Sequence, residues 1–181
     1  MESNTLKIGI ILGSTREGRV SPQVGEWFLK LASERKEADF EIIDVKDYNL
    51  PFLGTSSDME GIVRWNQKLA SLDGFVFVVS EYNHSISASL KNALDLAKDA
   101  WNNKAAGIVS YGSAYGARAA EHLRGILGEL QIADVRTQVL LSLFTDFDAS
   151  GNFKPLELHK ANVSSMLTQL INWSKALKTI R

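Results

Sequence analysis

Three short segments carry most of the residues able to do chemistry. The first runs Gly13-Ser14-Thr15-Arg16-Glu17-Gly18-Arg19-Val20-Ser21 and gathers three hydroxyls, two guanidinium groups and two glycines. If a helix starts at its end, main-chain N–H groups and the helix dipole point at the same spot, and Arg16 can add paired hydrogen bonds. That donor set suits a dianionic phosphate, best the terminal phosphate of a mononucleotide. Two other phosphate motifs fit less well. Gly13 and Gly18 have the Walker A glycine spacing, but Arg19 and Val20 stand where a lysine and a hydroxyl residue are needed. Ser14-Thr15 breaks the G-x-G-x-x-G dinucleotide pattern, and Asp44 alone is a weak imitation of its ribose-binding acid. A polar turn with no ligand is the plainer alternative.

The second segment, Ser80-Glu81-Tyr82-Asn83-His84-Ser85, offers an aromatic face for a flat heterocycle and an amide that both donates and accepts. The plainer alternative is that Ser85 or Ser87 caps a following helix and Tyr82 packs at a strand end. His84 invites proton transfer, although a lone loop histidine is more often solvated or packed. The third, Tyr111-Gly112-Ser113-Ala114-Tyr115-Gly116-Ala117, is small and glycine-rich, so main-chain N–H groups can approach a ligand and favour negative charge on it.

These segments need a scaffold that brings them together. Leu6–Leu12, Phe40–Val45, Phe75–Val79, Ala105–Val109 and Val135–Leu141 read as five strands. The first and third are nearly all apolar, as strands of a parallel sheet covered on both faces must be. Helical stripes lie between them: Val24, Trp27, Phe28 and Leu31; Ile62, Trp65, Leu69 and Leu72; Leu90, Ala93, Leu94 and Ala97; Ala120, Leu123, Leu127 and Leu130; and finally Val163, Met166, Leu167, Leu170 and Leu177. Ser21-Pro22 reads as a helix N-cap with proline at the first helical position. Asp73-Gly74 closes the second helix. Loops over Lys46–Met59 and Thr145–Pro155 are too short for domain linkers. The alternation predicts a doubly wound α/β sheet in one domain over residues 1–181, with ligands beyond the carboxyl ends of the strands.

Composition narrows the chemistry. The 181 residues carry 20 Lys+Arg against 21 Asp+Glu, so no bulk positive charge draws nucleic acid or an anionic membrane. No Cys is present, which removes disulfides, thiolate metal sites and a cysteine nucleophile. His84, His122 and His159 lie in no zinc-ligand spacing. No apolar run approaches a membrane span, and Met1 to Thr5 lacks a signal-type pattern. The expectation is a soluble cytoplasmic protein whose redox chemistry, if any, uses a borrowed cofactor.

Gly13-Ser14-Thr15-Arg16…Ser21, then Glu81-Tyr82-Asn83-His84-Ser85 leading into Leu90-Lys91-Asn92-Ala93-Leu94-Asp95, then Gly112-Ser113…Gly116, resemble the NADPH-dependent FMN reductase family over roughly Leu6 to Leu130. The resemblance implies a flavodoxin-like five-stranded sheet of order 2-1-3-4-5 with helices on both faces. It implies that Ser14, Arg16 and Ser21 bind the FMN phosphate, that Glu81, Tyr82, Asn83 and Ser85 line the ribityl and ring, and that Gly112, Ser113 and Ala114 cover the flavin's polar edge. It also implies NADPH or NADH as hydride donor, a quinone, azo, flavin or metal-oxyanion acceptor, and homodimers or homotetramers. Ser80 departs from the family's usual proline, which frees one φ and adds an N–H. Two other classes fit the same fold: a flavodoxin-type electron carrier, disfavoured by the near-neutral charge, and a flavin-free nucleotide binder.

Overall fold

The computed structural model describes residues 5–55, 59–97 and 99–181. Met1 to Asn4, and Ser56 and Ser57 of the loop read from the sequence, lie outside the described residues. The elements run β1 (Leu6–Leu12), α1 (Ser21–Ala32), β2 (Ala38–Asp44), a 3₁₀ turn (Val45–Tyr48), α2 (Glu60–Ala70), β3 (Gly74–Ser80), α3 (Ala88–Asp95), a second 3₁₀ turn (Asp99–Trp101), β4 (Lys104–Gly112), α4 (Ala117–Glu129), β5 (Ile132–Asp134), β6 (Val139–Ser142) and α5 (His159–Lys178). The strands pair in parallel in the order β2-β1-β3-β4-β5, with β6 also on β4. This is the expected doubly wound order.

The continuous apolar runs have a direct explanation. Along β3, Phe75, Phe77 and Val79 enter the layer under α2, α3 and α4, while Val76 and Val78 enter the layer under α1 and α5. The first layer centres on aromatic rings: Trp101 lies 4.9 Å from Phe75 and 5.9 Å from Trp65. Both buried indoles are satisfied, Trp65 Nε1 donating to Ala93 O at 2.8 Å and Trp101 Nε1 to Leu94 O at 3.1 Å. Those two bonds fix the position of α3.

The fifth strand differs from the single run Val135–Leu141. Its place is shared: β5 starts earlier and pairs with the first residues of β4, and β6 pairs with the last. Between them the chain leaves the ladder because side chains satisfy its polar groups. Arg124 donates to Val135 O and Arg136 O and to Gln138 Oε1, and Thr137 N–H donates to Gln169 Oε1.

Two expected helix ends also differ. Helix α1 begins at Ser21 itself, with Val20 in the cap position and no side-chain cap. The Ser21 hydroxyl points inward instead. Helix α2 ends at Ala70, and Asp73 serves the sheet rather than the helix: it accepts Lys7 N–H and pairs with Lys178 and Arg181. The Thr145–Pro155 segment is an ordered hairpin, with a Phe147–Phe153 bridge and an edge-on contact from Phe153 to Trp27.

Candidate functional site

The three segments meet at the carboxyl ends of β1, β3 and β4 around a cavity of about 780 Å³, within the range that holds cofactors and small substrates. Helix α3 braces the floor. Ser87 caps it by accepting Leu90 N–H, and the Ser87 and Ser89 hydroxyls both donate to Gly13 O, at 3.0 and 2.7 Å.

The first loop carries a surplus of donors. Ser14 and Thr15 hydroxyls and the main-chain N–H groups of Ser14 to Gly18 have no hydrogen-bond partner among the described residues. Ser14 is only 7% exposed, yet lines the cavity. Its two arginines have different roles. Arg19 pairs with Asp44, whose other oxygen accepts Lys46 N–H, so Asp44 is occupied and unavailable as a ribose-binding acid. Arg16 lines the cavity with no ion pair among the described residues. Beneath the loop, Arg19 Nε and Ser21 Oγ are buried without hydrogen-bond partners. Ser21 lies off the cavity wall and faces the Tyr111 hydroxyl. Burial pushes the Tyr111 phenol up, against the pull of the Ser80 and Ser21 hydroxyls and of Arg16 and Arg19. Unpaired donors, a helix N-terminus and one free cation fit a phosphate ester.

The second loop is a two-residue turn. Tyr82 and Ser85 exchange main-chain bonds of 2.9 and 3.1 Å, and Asn83 and His84 between them have φ of 46° and 71°, the pattern of a type I′ turn. Tyr82, 61% exposed, lines the cavity, whereas Asn83 and Ser85 stand off the wall. Ser85 Oγ meets His122 Nδ1 at 2.9 Å. The Glu81 carboxylate is occupied: Arg118 donates to it from Nε at 2.7 Å and from its main-chain N–H at 3.2 Å, at the start of α4. Burial pushes Glu81 up, but the Arg118 hydrogen bonds and charge outweigh it and hold the carboxyl below its ordinary range. Glu81 therefore stands on the cavity wall with its carboxylate already engaged.

In the third loop Gly116 has φ of 71°, and a Cβ there would lie 2.6 Å from Tyr111 N, so only glycine permits the turn into α4. Gly112 is on the wall; Ser113 and Ala114 border it, their N–H groups unpaired among the described residues. Further wall residues come from outside the three segments. Asn49, Leu50 and Phe52 come from the loop after β2, which Asn92 clamps by donating to Pro51 O at 2.9 Å and accepting Leu53 N–H at 3.1 Å. Leu143 comes from the turn after β6. Asn92 lay within a quoted motif; Leu143 had no local signal. Among the described residues no group of three or more His, Cys, Asp or Glu could hold a metal, and no helix is long and apolar enough to cross a membrane.

Known proteins resemble this chain in sequence and fold. An NAD(P)H-dependent FMN reductase of Schizosaccharomyces pombe is 34% identical over 160 residues, spanning 83% of this chain and 80% of that protein. A 2-hydroxy-1,4-benzoquinone reductase of a Burkholderia species is 33% identical over 157 residues, spanning 81% and 85%. A flavoenzyme NAD(P)H:acceptor oxidoreductase of Paracoccus denitrificans superposes with a TM-score of 0.76 at 19% identity, covering 95% of this chain and 98% of that one. The pattern that defines the NADPH-dependent FMN reductases matches residues 6–146, the segment holding all three loops, and the chain belongs to that family.

Proposed function

We propose that this chain binds FMN and uses it to pass hydride from NAD(P)H to a quinone, azo, flavin or metal-oxyanion acceptor, the two substrates taking turns in a ping-pong cycle. The observation that carries the reading is the first loop: the hydroxyls and main-chain N–H groups of Ser14 and Thr15 and the Arg16 guanidinium have no partner among the described residues and stand on the wall of a cavity of about 780 Å³, just ahead of the start of α1. Bound FMN supplies hydride acceptance and release at its N5 atom, chemistry that no side chain here could perform. The protein's part is binding and electrostatics. Ser14, Thr15, Arg16 and the loop N–H groups hold the phosphate, with Ser21 and Tyr111 beneath them. Tyr82, Leu50 and Phe52 give the ring system apolar contact. The unpaired N–H groups of Ser113 and Ala114 favour negative charge on the polar edge of the ring. Glu81 and Tyr82 shape the same rim, and the Asn83–His84 turn behind them holds Tyr82 in place.

Phe52, Leu53, Tyr82, Tyr115, Leu143 and Phe144 stand exposed on the loops bordering the cavity. That much apolar surface supports a homodimer or homotetramer closing over the site. An electron carrier remains the alternative class, and the charge of −1 disfavours it. Steady-state NADPH oxidation with a quinone decides: parallel double-reciprocal lines are expected. Intersecting lines would overturn the alternating order, and negligible turnover would favour the carrier.

A further inference from the structure

We infer that the turn closing β6, which puts Leu143 on the cavity wall, selects the electron acceptor, and that the buried Asp146–His159 pair positions that turn. The inference rests on the oxidoreductase reading above. Asp146 is fully buried and His159 is 5% exposed, and neither touches the cavity. All the polar contacts of the Asp146 carboxylate bind the turn to its surroundings. One oxygen accepts Ser142 N–H at 2.8 Å; the other accepts Leu156 N–H at 3.0 Å and meets His159 Nε2 at 2.8 Å. The Asp146 main chain is held as well, its N–H donating to Ser142 O at 3.0 Å and its carbonyl accepting Lys154 N–H at 2.8 Å.

Inside this brace the chain has little freedom. Phe144 N–H donates to Ser142 Oγ at 3.1 Å. Leu143 N–H donates to Gly112 O at 3.2 Å, which ties the turn to the third loop. His159 Nε2–H donating to the carboxylate leaves Nδ1 as a buried atom without a partner. A space-filling apolar residue would avoid that orphan, so the imidazole is present for the bond it makes to Asp146. Removing that bond leaves a buried carboxylate one donor short, and the turn between Ser142 and Asp146 is the segment able to shift in response.

The consequence is chemical. Leu143 adds an aliphatic surface to a wall that already holds Leu50, Phe52 and Tyr82. Such a wall favours a planar apolar acceptor such as a quinone over a strongly hydrated anion, because only the former gains from losing water there.

The test uses the FMN-loaded full chain with naphthoquinone and with ferricyanide, comparing wild type with Leu143→Ala, His159→Leu and His159→Gln. Expected is a naphthoquinone KM raised at least fivefold by Leu143→Ala and by His159→Leu, with ferricyanide KM within twofold. His159→Gln, whose amide still offers a donor to Asp146, restores most of the difference. An unchanged ratio of the two KM values, or a ratio not restored by the glutamine, overturns the inference. If His159→Leu does not fold, the Leu143→Ala ratio decides alone. Wild-type protein that takes up no FMN, or whose flavin NADPH leaves oxidised, overturns instead the reading beneath it.

Discussion

Replacing Arg16 by alanine tests the phosphate assignment at its most exposed point. Arg16 is the loop cation with no counter-charge among the described residues, while Arg19 is held by Asp44. A charge-assisted hydrogen bond contributes about 1.5–3 kcal/mol, which at 1.4 kcal/mol per decade is roughly a 10- to 150-fold rise in Kd. Because Arg16 is solvent-exposed, the lower half of that range is expected. The assay is quenching of flavin fluorescence on titrating apoprotein, done in parallel with FMN and with riboflavin, which has the same ring but no phosphate. Arg16→Ala should lose about 10- to 40-fold in FMN affinity, more at low salt, and nothing for riboflavin. Arg16→Lys should recover part of the loss, keeping the charge without the planar fork. Equal losses for both flavins would place Arg16 against the ring or in the fold, and an unchanged FMN affinity would remove it from the site.

Other expectations concern the scaffold. Burial lowers the Lys104 ammonium to about 8, against the weaker opposing pull of Asp73. A lysine with a depressed folded pKa destabilises the fold below that value and is relieved as pH climbs toward the unfolded value of 10.5. Lys104→Met removes both this penalty and the Lys104 Nζ donor to Leu69 O at 2.6 Å, and its denaturation midpoint should fall relative to wild type between pH 8 and 10 as the wild-type penalty is relieved; a pH-independent gap would contradict this. Glu81→Gln should lower stability at neutral pH, where the native carboxylate pairs with Arg118. That deficit should vanish in acid: the depressed carboxyl stabilises above its ordinary value of 4.5 and loses the effect as pH falls through its folded value. A deficit that persists at pH 2 would assign the loss to shape instead. Gly116→Ala should cost at least ~1–2 kcal/mol in urea unfolding, from positive φ and the clash with Tyr111 N; a neutral result would refute the turn geometry.

How much of this was legible in sequence follows from how local each feature is. β1 and β3 are readable because both their faces are buried, so nearly every side chain is apolar. The first loop is readable because strand end, glycines, donors and helix start are contiguous. The break between β5 and β6 is not, since Arg124 and Gln169 impose it from α4 and α5. Nor could the sequence show that the Glu81 carboxylate is occupied, because Arg118 lies 37 residues on. Ser21 read as a cap from its proline neighbour, but α1 starts one residue earlier and turns the hydroxyl toward Tyr111. Leu143 reaches the cavity only because β6 ends beside Gly112, a pairing no local pattern announces.

The account rests on FMN, held by its phosphate at the start of α1, accepting hydride from a reduced pyridine nucleotide. The most direct measurement is an anaerobic titration of the FMN-loaded protein with NADPH, followed by absorbance. Stoichiometric loss of the oxidised-flavin band, and its return on adding a quinone, is the predicted result. A protein that fails to retain FMN, or whose bound flavin stays oxidised under excess NADPH and NADH, would contradict it.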